Sequence, residues 1–147
     1  MTFEETSIAE HATRDVLAIG VEDDCRRASV MMRVGGIGRL PVLDGDRLVG
    51  IITEGDIHRR APRAVPLESV RVGGVMTYSP MALSPDVPVR EAVRLLLLHD
   101  VGAFPVIRDG HLEGMFSRSN ALDALLGSHT AEPLSLHRVR MRADARR

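Results

Sequence analysis

Two short stretches place a hydroxyl three residues ahead of a carboxylate or an amide. Thr53 and Asp56 stand in GIITEGD (50–56), and Ser117 and Asn120 stand in GMFSRSN (114–120). Each stretch begins as an apolar run. If a helix starts at its end, side chains three apart share one face of that helix. The start of a helix offers unpaired N–H groups and a positive field, which suits phosphate oxygens. Thr53 would add a hydroxyl donor there. Asp56 would add an ionised carboxylate, whose two acceptor oxygens suit a ribose diol. The same residue types at the same spacing also cap helices, so a purely local role stands beside the ligand role at both stretches. Asn120 changes the chemistry. An amide has one acceptor oxygen and no charge, and one lost charged hydrogen bond costs on the order of 1.5–3 kcal/mol, about ten- to a hundredfold in affinity. The pairs therefore read as unequal sites, with Thr53/Asp56 the stronger. Ser117/Asn120 reads as weaker, empty, or tuned to a more anionic ligand by Arg118 and Arg39.

Other chemistries find little support. The chain has no lysine, which removes Schiff-base and Walker-lysine mechanisms. Its single cysteine, Cys25, removes an internal disulfide and a Cys-rich metal site. Cys25 falls on an apolar helix face and is expected in the core, as are Met31, Met32 and Met115. The six histidines lack ligand spacing, so no metal is expected. His58 could brush a phosphate or simply sit in solvent. No nucleophile–base pattern such as Gly-x-Ser-x-Gly appears, so no catalytic residue and no required cofactor are assigned, and an enzyme is the least favoured class. A net charge of −1 gives no whole-chain case for nucleic acid or membrane. There is no N-terminal signal pattern and no apolar run near 18 residues, so a soluble, cytoplasmic protein is expected.

The elements that must position these pairs are written twice. Residues 13–57 lie over 77–121 without a gap, with identities at Ala18/Ala82, Arg26/Arg90, Ala28/Ala92, Gly38/Gly102, Pro41/Pro105, Val42/Val106, Leu48/Leu112 and Gly50/Gly114. A gapless register of this length marks an internal duplication. Two copies are too few for a solenoid, so a closed pair is expected. Each copy reads as an extended piece (16–19 or 81–83), a helix, two strands joined by a turn at Asp44-Gly45 or Asp109-Gly110, and a final helix from Glu54 or Arg118. The first helix carries Cys25, Ala28, Ser29 and Met32 on one face, and its counterpart Val89, Ala92, Val93 and Leu96. Asp23 is the expected cap of the first, and Pro88 is expected to open the second. Aromatics are only 3% and tryptophan is absent, so the core must be aliphatic. Gly50 is expected where backbone approaches closely. The run Leu95–Leu98 cannot face one core, which implies burial from a second side.

The order β–α–β–β–α, the signature LPVLDGDRLVGIITEGDI and its echo FPVIRDGHLEGMFSRSNA resemble a tandem pair of CBS domains, a Bateman module, over residues 10–126. The resemblance implies an α/β (α+β) fold of two β-α-β-β-α units packed as a pseudo-two-fold pair. Unit 1 would span 1–60 with its lead-in, a linker 61–71, unit 2 72–126, and an Arg-rich, loose tail 127–147. It also implies clefts for adenosine-type ligands: AMP, ADP, ATP or S-adenosylmethionine. Thr53 and Asp56 would there face Thr77, Met81, Ala82 and Val101. Ser117 and Asn120 would face Thr13, Leu17, Ala18 and Ile37, with Arg39 at a phosphate-contacting position and Arg118 within the second motif.

The function this implies is a non-enzymatic nucleotide-sensing module, a homodimer that signals occupancy to an unknown effector protein. Two rivals stand beside it. One is a structural CBS-pair protein with empty clefts. The other is a nucleic-acid-associated regulator using Arg138, Arg140, Arg142, Arg146 and Arg147 of the tail, against which a solvated chain end is the plainer reading.

Overall fold

The computed structural model describes residues 5–78 and 80–127. The Arg-rich tail expected to be loose lies outside the described residues. Packing divides the chain into two units, one from 17–80 and one joining the described part of 1–16 to 81–127.

The first unit runs β1 (Ile19–Gly20), α1 (Cys25–Gly35), β2 (Arg39–Asp44), β3 (Arg47–Thr53), α2 (Glu54–Arg60), two 3-10 turns (Leu67–Ser69 and Val72–Gly74) and β4 (Thr77–Tyr78). β1 pairs with β2 in parallel, β2 with β3 antiparallel, and β4 with the far side of β3, with Val42 opposite Gly50 and Gly50 opposite Tyr78. The core is aliphatic as expected: Ile19, Ala28, Met32, Leu40, Val42, Ile52 and Met76 pack together. Cys25 is part of it and fully buried. Burial, and then the Asp24 charge beside it, push its thiol pKa up, so it stays an inert, protonated core group.

The second unit runs a 3-10 turn (Ile8–Glu10), α3 (Val89–His99), β5 (Ala103–Arg108), β6 (His111–Ser117) and α4 (Arg118–Gly127). β5 and β6 pair antiparallel with Val106 opposite Gly114. Leu83 bridges Val106 in parallel, and Thr13 bridges Met115 antiparallel. The register of the first unit is thereby reproduced residue for residue. Ile8, Val89, Ala92, Leu96, Phe104, Val106 and Phe116 fill its core.

Each unit takes an edge backbone pairing from the segment that precedes the other repeat in sequence. Thr77 leads into the second repeat yet pairs with Ile51, and Thr13 leads into the first yet exchanges two backbone hydrogen bonds of 2.9 Å with Met115. The lead-in that precedes 17–60 in sequence thus packs with 81–127. Glycine makes this possible. A Cβ on Gly114 would lie 2.5 Å from the Thr13 carbonyl oxygen, and one on Gly50 would lie 2.7 Å from that of Thr77 and 2.5 Å from the Met76 sulfur. The close approach expected at Gly50 is therefore made by the chain's own backbone.

Two local expectations shift slightly. Asp24, not Asp23, caps α1 by accepting the Arg27 N–H at 2.8 Å, because Asp23 is turned back to the Gly20 N–H at 2.9 Å. α1 ends on Gly36 in the left-handed region (φ 64°), whereas α3 ends on Asp100 at φ 50°. In the first hairpin Asp44 still pairs with Arg47, so Gly45 (φ 63°) and Asp46 make the turn, whereas Asp109 (φ 51°) and Gly110 (φ 81°) make the second.

Candidate functional site

Thr53 closes β3 and caps α2, as the run of strand residues ending in a hydroxyl predicts. Its Oγ1 accepts the Asp56 N–H at 2.9 Å, and Asp56 Oδ2 accepts the Thr53 N–H at 3.0 Å. The pair is thus a reciprocal capping box, the local role that the sequence left open. Asp56 is only 3% exposed, so its charge needs more than one partner. The second is Arg59, whose Nη2 donates to Asp56 Oδ1 at 3.1 Å while most of its side chain stays in solvent. Gly55 leaves room for it: a Cβ there would lie 2.8 Å from Arg59 Nη1 and 3.6 Å from Thr53 Oγ1. The guanidinium therefore lies against Gly55 and bonds to Asp56.

Ser117 and Asn120 repeat the cap with different chemistry. Asn120 Oδ1 accepts the Ser117 N–H at 2.8 Å and the Ser117 hydroxyl at 2.9 Å, and the Asn120 N–H donates to Ser117 Oγ at 3.2 Å. The amide nitrogen Nδ2 donates to Thr13 Oγ1 at 3.2 Å, tying α4 to the lead-in. Asn120 is 1% exposed. Arg118 points away from this pair, to the Val101 carbonyl at 3.2 Å and Asp100 Oδ1 at 3.4 Å.

The remaining expected residues divide between the units. Thr77 is exposed in β4, opposite Ile51 and so two residues short of Thr53 at the end of β3. Arg39 is half-buried and opposite Thr53 in β2. Leu17 is 45% exposed and packs over Gly35 beside Ile37, while Ala18 is half-buried. The Gly38 carbonyl next along accepts the Glu54 N–H at 3.3 Å, so this apolar patch leads directly to the capped end of α2. Met81 and Ala82 are exposed and Val101 is half-buried, all three in the second unit. One residue escaped the sequence reading: Arg59, whose signal was an arginine three beyond a carboxylate on one helix face. Thr13, which the resemblance set opposite Ser117 and Asn120, is joined to Asn120 by the hydrogen bond above. His58 is exposed, and among the described residues no cluster suits a metal ion.

Comparison with known proteins agrees with this geometry. The family model for the CBS domain matches twice, at residues 8–63 and 72–127. The uncharacterized protein YlbB of Bacillus subtilis is 30% identical over 112 residues, covering 75% of this chain and 76% of its own length. The inosine-5'-monophosphate dehydrogenase of Korarchaeum cryptofilum is 32% identical over 103 residues. That match covers 69% of this chain but only 21% of the dehydrogenase, so the chain spans about a fifth of that enzyme. Among solved structures, CBSX2 of Arabidopsis thaliana in complex with AMP shares the fold with a TM-score of 0.75 at 23% identity, covering 85% of this chain and 99% of that one. No helix among the described residues is long and apolar enough to cross a membrane. The duplicated β-α-β-β-α unit, the twin hydroxyl-led caps and the double family match converge: the chain belongs to the CBS domain family, as a tandem CBS pair.

Proposed function

We propose that this protein is a non-enzymatic regulatory module. It binds an adenosine-type nucleotide (AMP, ADP, ATP or S-adenosylmethionine) at the Thr53–Asp56 turn and reports occupancy to a partner protein. The observation that carries the reading is the Asp56 carboxylate, buried and oriented by Thr53 and Arg59 at the end of β3. A preset carboxylate beside a hydroxyl and a guanidinium offers acceptors to a ribose and donors to a phosphate. The AMP complex of CBSX2 supports it at the level of the fold. Ser117–Asn120 is the weaker site, since its amide is committed to Ser117 and Thr13. Signalling requires only that ligand bind one arrangement of the protein better than another. A homodimer would use the apolar face of α3 and α4, where Leu97 is 70% and Leu98 77% exposed.

Titration calorimetry tests the reading with wild type, Asp56→Ala and Asp56→Asn. The second variant matters because Asn120 shows that an amide at this position keeps the cap. Loss of about ten- to a hundredfold in nucleotide affinity in Asp56→Asn, with the fold intact, is expected. Unchanged binding of every adenine nucleotide in both variants defeats the assignment. The capping box itself favours one second reading, a structural CBS pair whose polar turns serve only the fold. Thermal denaturation against AMP, ADP, ATP and S-adenosylmethionine separates the two, because a ligand at about 100 times its dissociation constant adds about 2.7 kcal/mol.

A further inference from the structure

We propose that a second copy of this chain binds to its second unit alone, α3 and α4 of one chain lying against α3 and α4 of the other. The inference rests on the homodimer reading above and fixes which half forms the contact. The leucine run that could not face one core is divided by the fold. Leu96 is buried and Leu95 half-buried, while Leu97 is 70% and Leu98 77% exposed. α4 packs beside α3 and adds Leu122 at 59%, with Leu125 and Leu126 exposed three and four residues on. Exposed leucines gathered on two neighbouring helices mark a surface that a partner covers.

The duplication shows why the other half is not used. In its register Arg33, Val34 and His58 stand where Leu97, Leu98 and Leu122 do. Of large apolar side chains, α1 and α2 expose only Val30 and Val34. Charge selects the partner. Arg94 stands three and four residues before Leu97 and Leu98, and Arg118 four before Leu122, so both share the leucine face. Each already has a carboxylate at 3.4 Å, Arg94 in Glu91 and Arg118 in Asp100. A two-fold contact sets the same patch on itself, so this balanced rim brings no net repulsion between copies. The same balance leaves no net field to steer an acidic or a basic partner. On α1 and α2 the exposed charges are Arg26, Arg27, Arg33, Arg59 and Arg60 against Glu54, and self-contact there would set arginine against arginine. A crosswise contact, α3 and α4 on the other chain's α1 and α2, would bury Arg33 and His58 under leucines.

Light scattering of the full chain over a dilution series, with cross-linking of single-site cysteine variants by a short bismaleimide, provides the test. Wild type is expected to dimerise. Leu98→Glu or Leu122→Glu should weaken the dimer about tenfold or more, because each change enters a two-fold contact twice. Val34→Glu, at the matching exposed position of α1, should leave it unchanged. Cys25 is fully buried and silent toward the reagent, so Leu98→Cys should link to its own copy whereas Val34→Cys should not. An equimolar mixture of these two variants should link only Leu98→Cys chains to one another. Links between Leu98→Cys and Val34→Cys chains, or a dimer indifferent to both glutamates on α3 and α4, overturn this arrangement and leave the homodimer standing. A wild type that is monomeric at every concentration overturns the homodimer as well, and leaves the leucines to a different occupant.

Discussion

In the first unit, the residue three beyond the cap hydroxyl is a carboxylate, held by the Thr53 N–H and the Arg59 guanidinium. In the second it is an amide, held by the Ser117 N–H and hydroxyl and donating to Thr13. The backbone solution is the same, and so is the near-complete burial. The electrostatics are not. A carboxylate only accepts, so burying it calls for a cation, and Arg59 supplies one from solvent. An amide accepts on one side and donates on the other, so it needs an acceptor instead and finds one in the lead-in. Duplication copied the turn, and each copy then settled its remaining valence differently. One ends on a solvent-exposed side chain and the other on a buried structural tie.

The sharpest way to break this comparison is to make the second turn like the first. Asn120→Asp would bury a carboxylate with no arginine in the place of Arg59 and with Asp123 in its stead. A cost of about 3 kcal/mol near neutral pH is expected in urea unfolding. Burial raises the pKa of such a carboxyl above its unfolded value, so the folded state holds the extra proton. The lost stability should therefore return as pH falls toward about 4, where the neutral acid also regains a donor for Thr13. A variant as stable as wild type at pH 7 would show that the two turns are electrically interchangeable.

Thr13→Val comes next. It leaves the Asn120 Nδ2 without its Thr13 acceptor and should cost about 2 kcal/mol, whereas Thr77→Val, at the matching but exposed position, should be near neutral. Equal effects at 13 and 77 would erase the structural distinction between the repeats. Smaller again is Asp24→Ala, which removes a side-chain cap that α3, opening on Pro88, does not possess. About 1 kcal/mol is expected by thermal or urea denaturation. The smallest is Leu98→Glu on the exposed face of α3, which should leave monomer stability within about 0.5 kcal/mol. The same change should weaken self-association in light scattering if the homodimer uses that face.

Much of this was legible in the sequence. The two gapless copies revealed the elements, and the helix starts at Glu54 and Arg118 fell where the hydroxyl-led motifs put them. The apolar stripes Cys25–Ala28–Met32 and Val89–Ala92–Leu96 identified the buried faces, because a helix shows its periodicity in any short window. What stayed hidden were relationships that no window contains. Asp23 and Asp24 are adjacent and chemically identical, so only the path of the backbone at Gly20 decides which one caps. The resemblance set Thr13 opposite Asn120, but that the amide nitrogen donates to the Thr13 hydroxyl shows only in the structure. The closeness of the Arg59 guanidinium to Gly55 likewise shows only in the folded helix.

The pairing of Thr13 with Met115 also sets a timetable. The unit built from 17–80 is contiguous, so a growing chain can close it while the rest is still being made. The other must hold the segment around Thr13 in reserve until β6 emerges about a hundred residues later, and so carries the larger loop-closure cost. Shortening the protein from its beginning would therefore injure the half that is finished last, leaving intact the one that the cut lies beside.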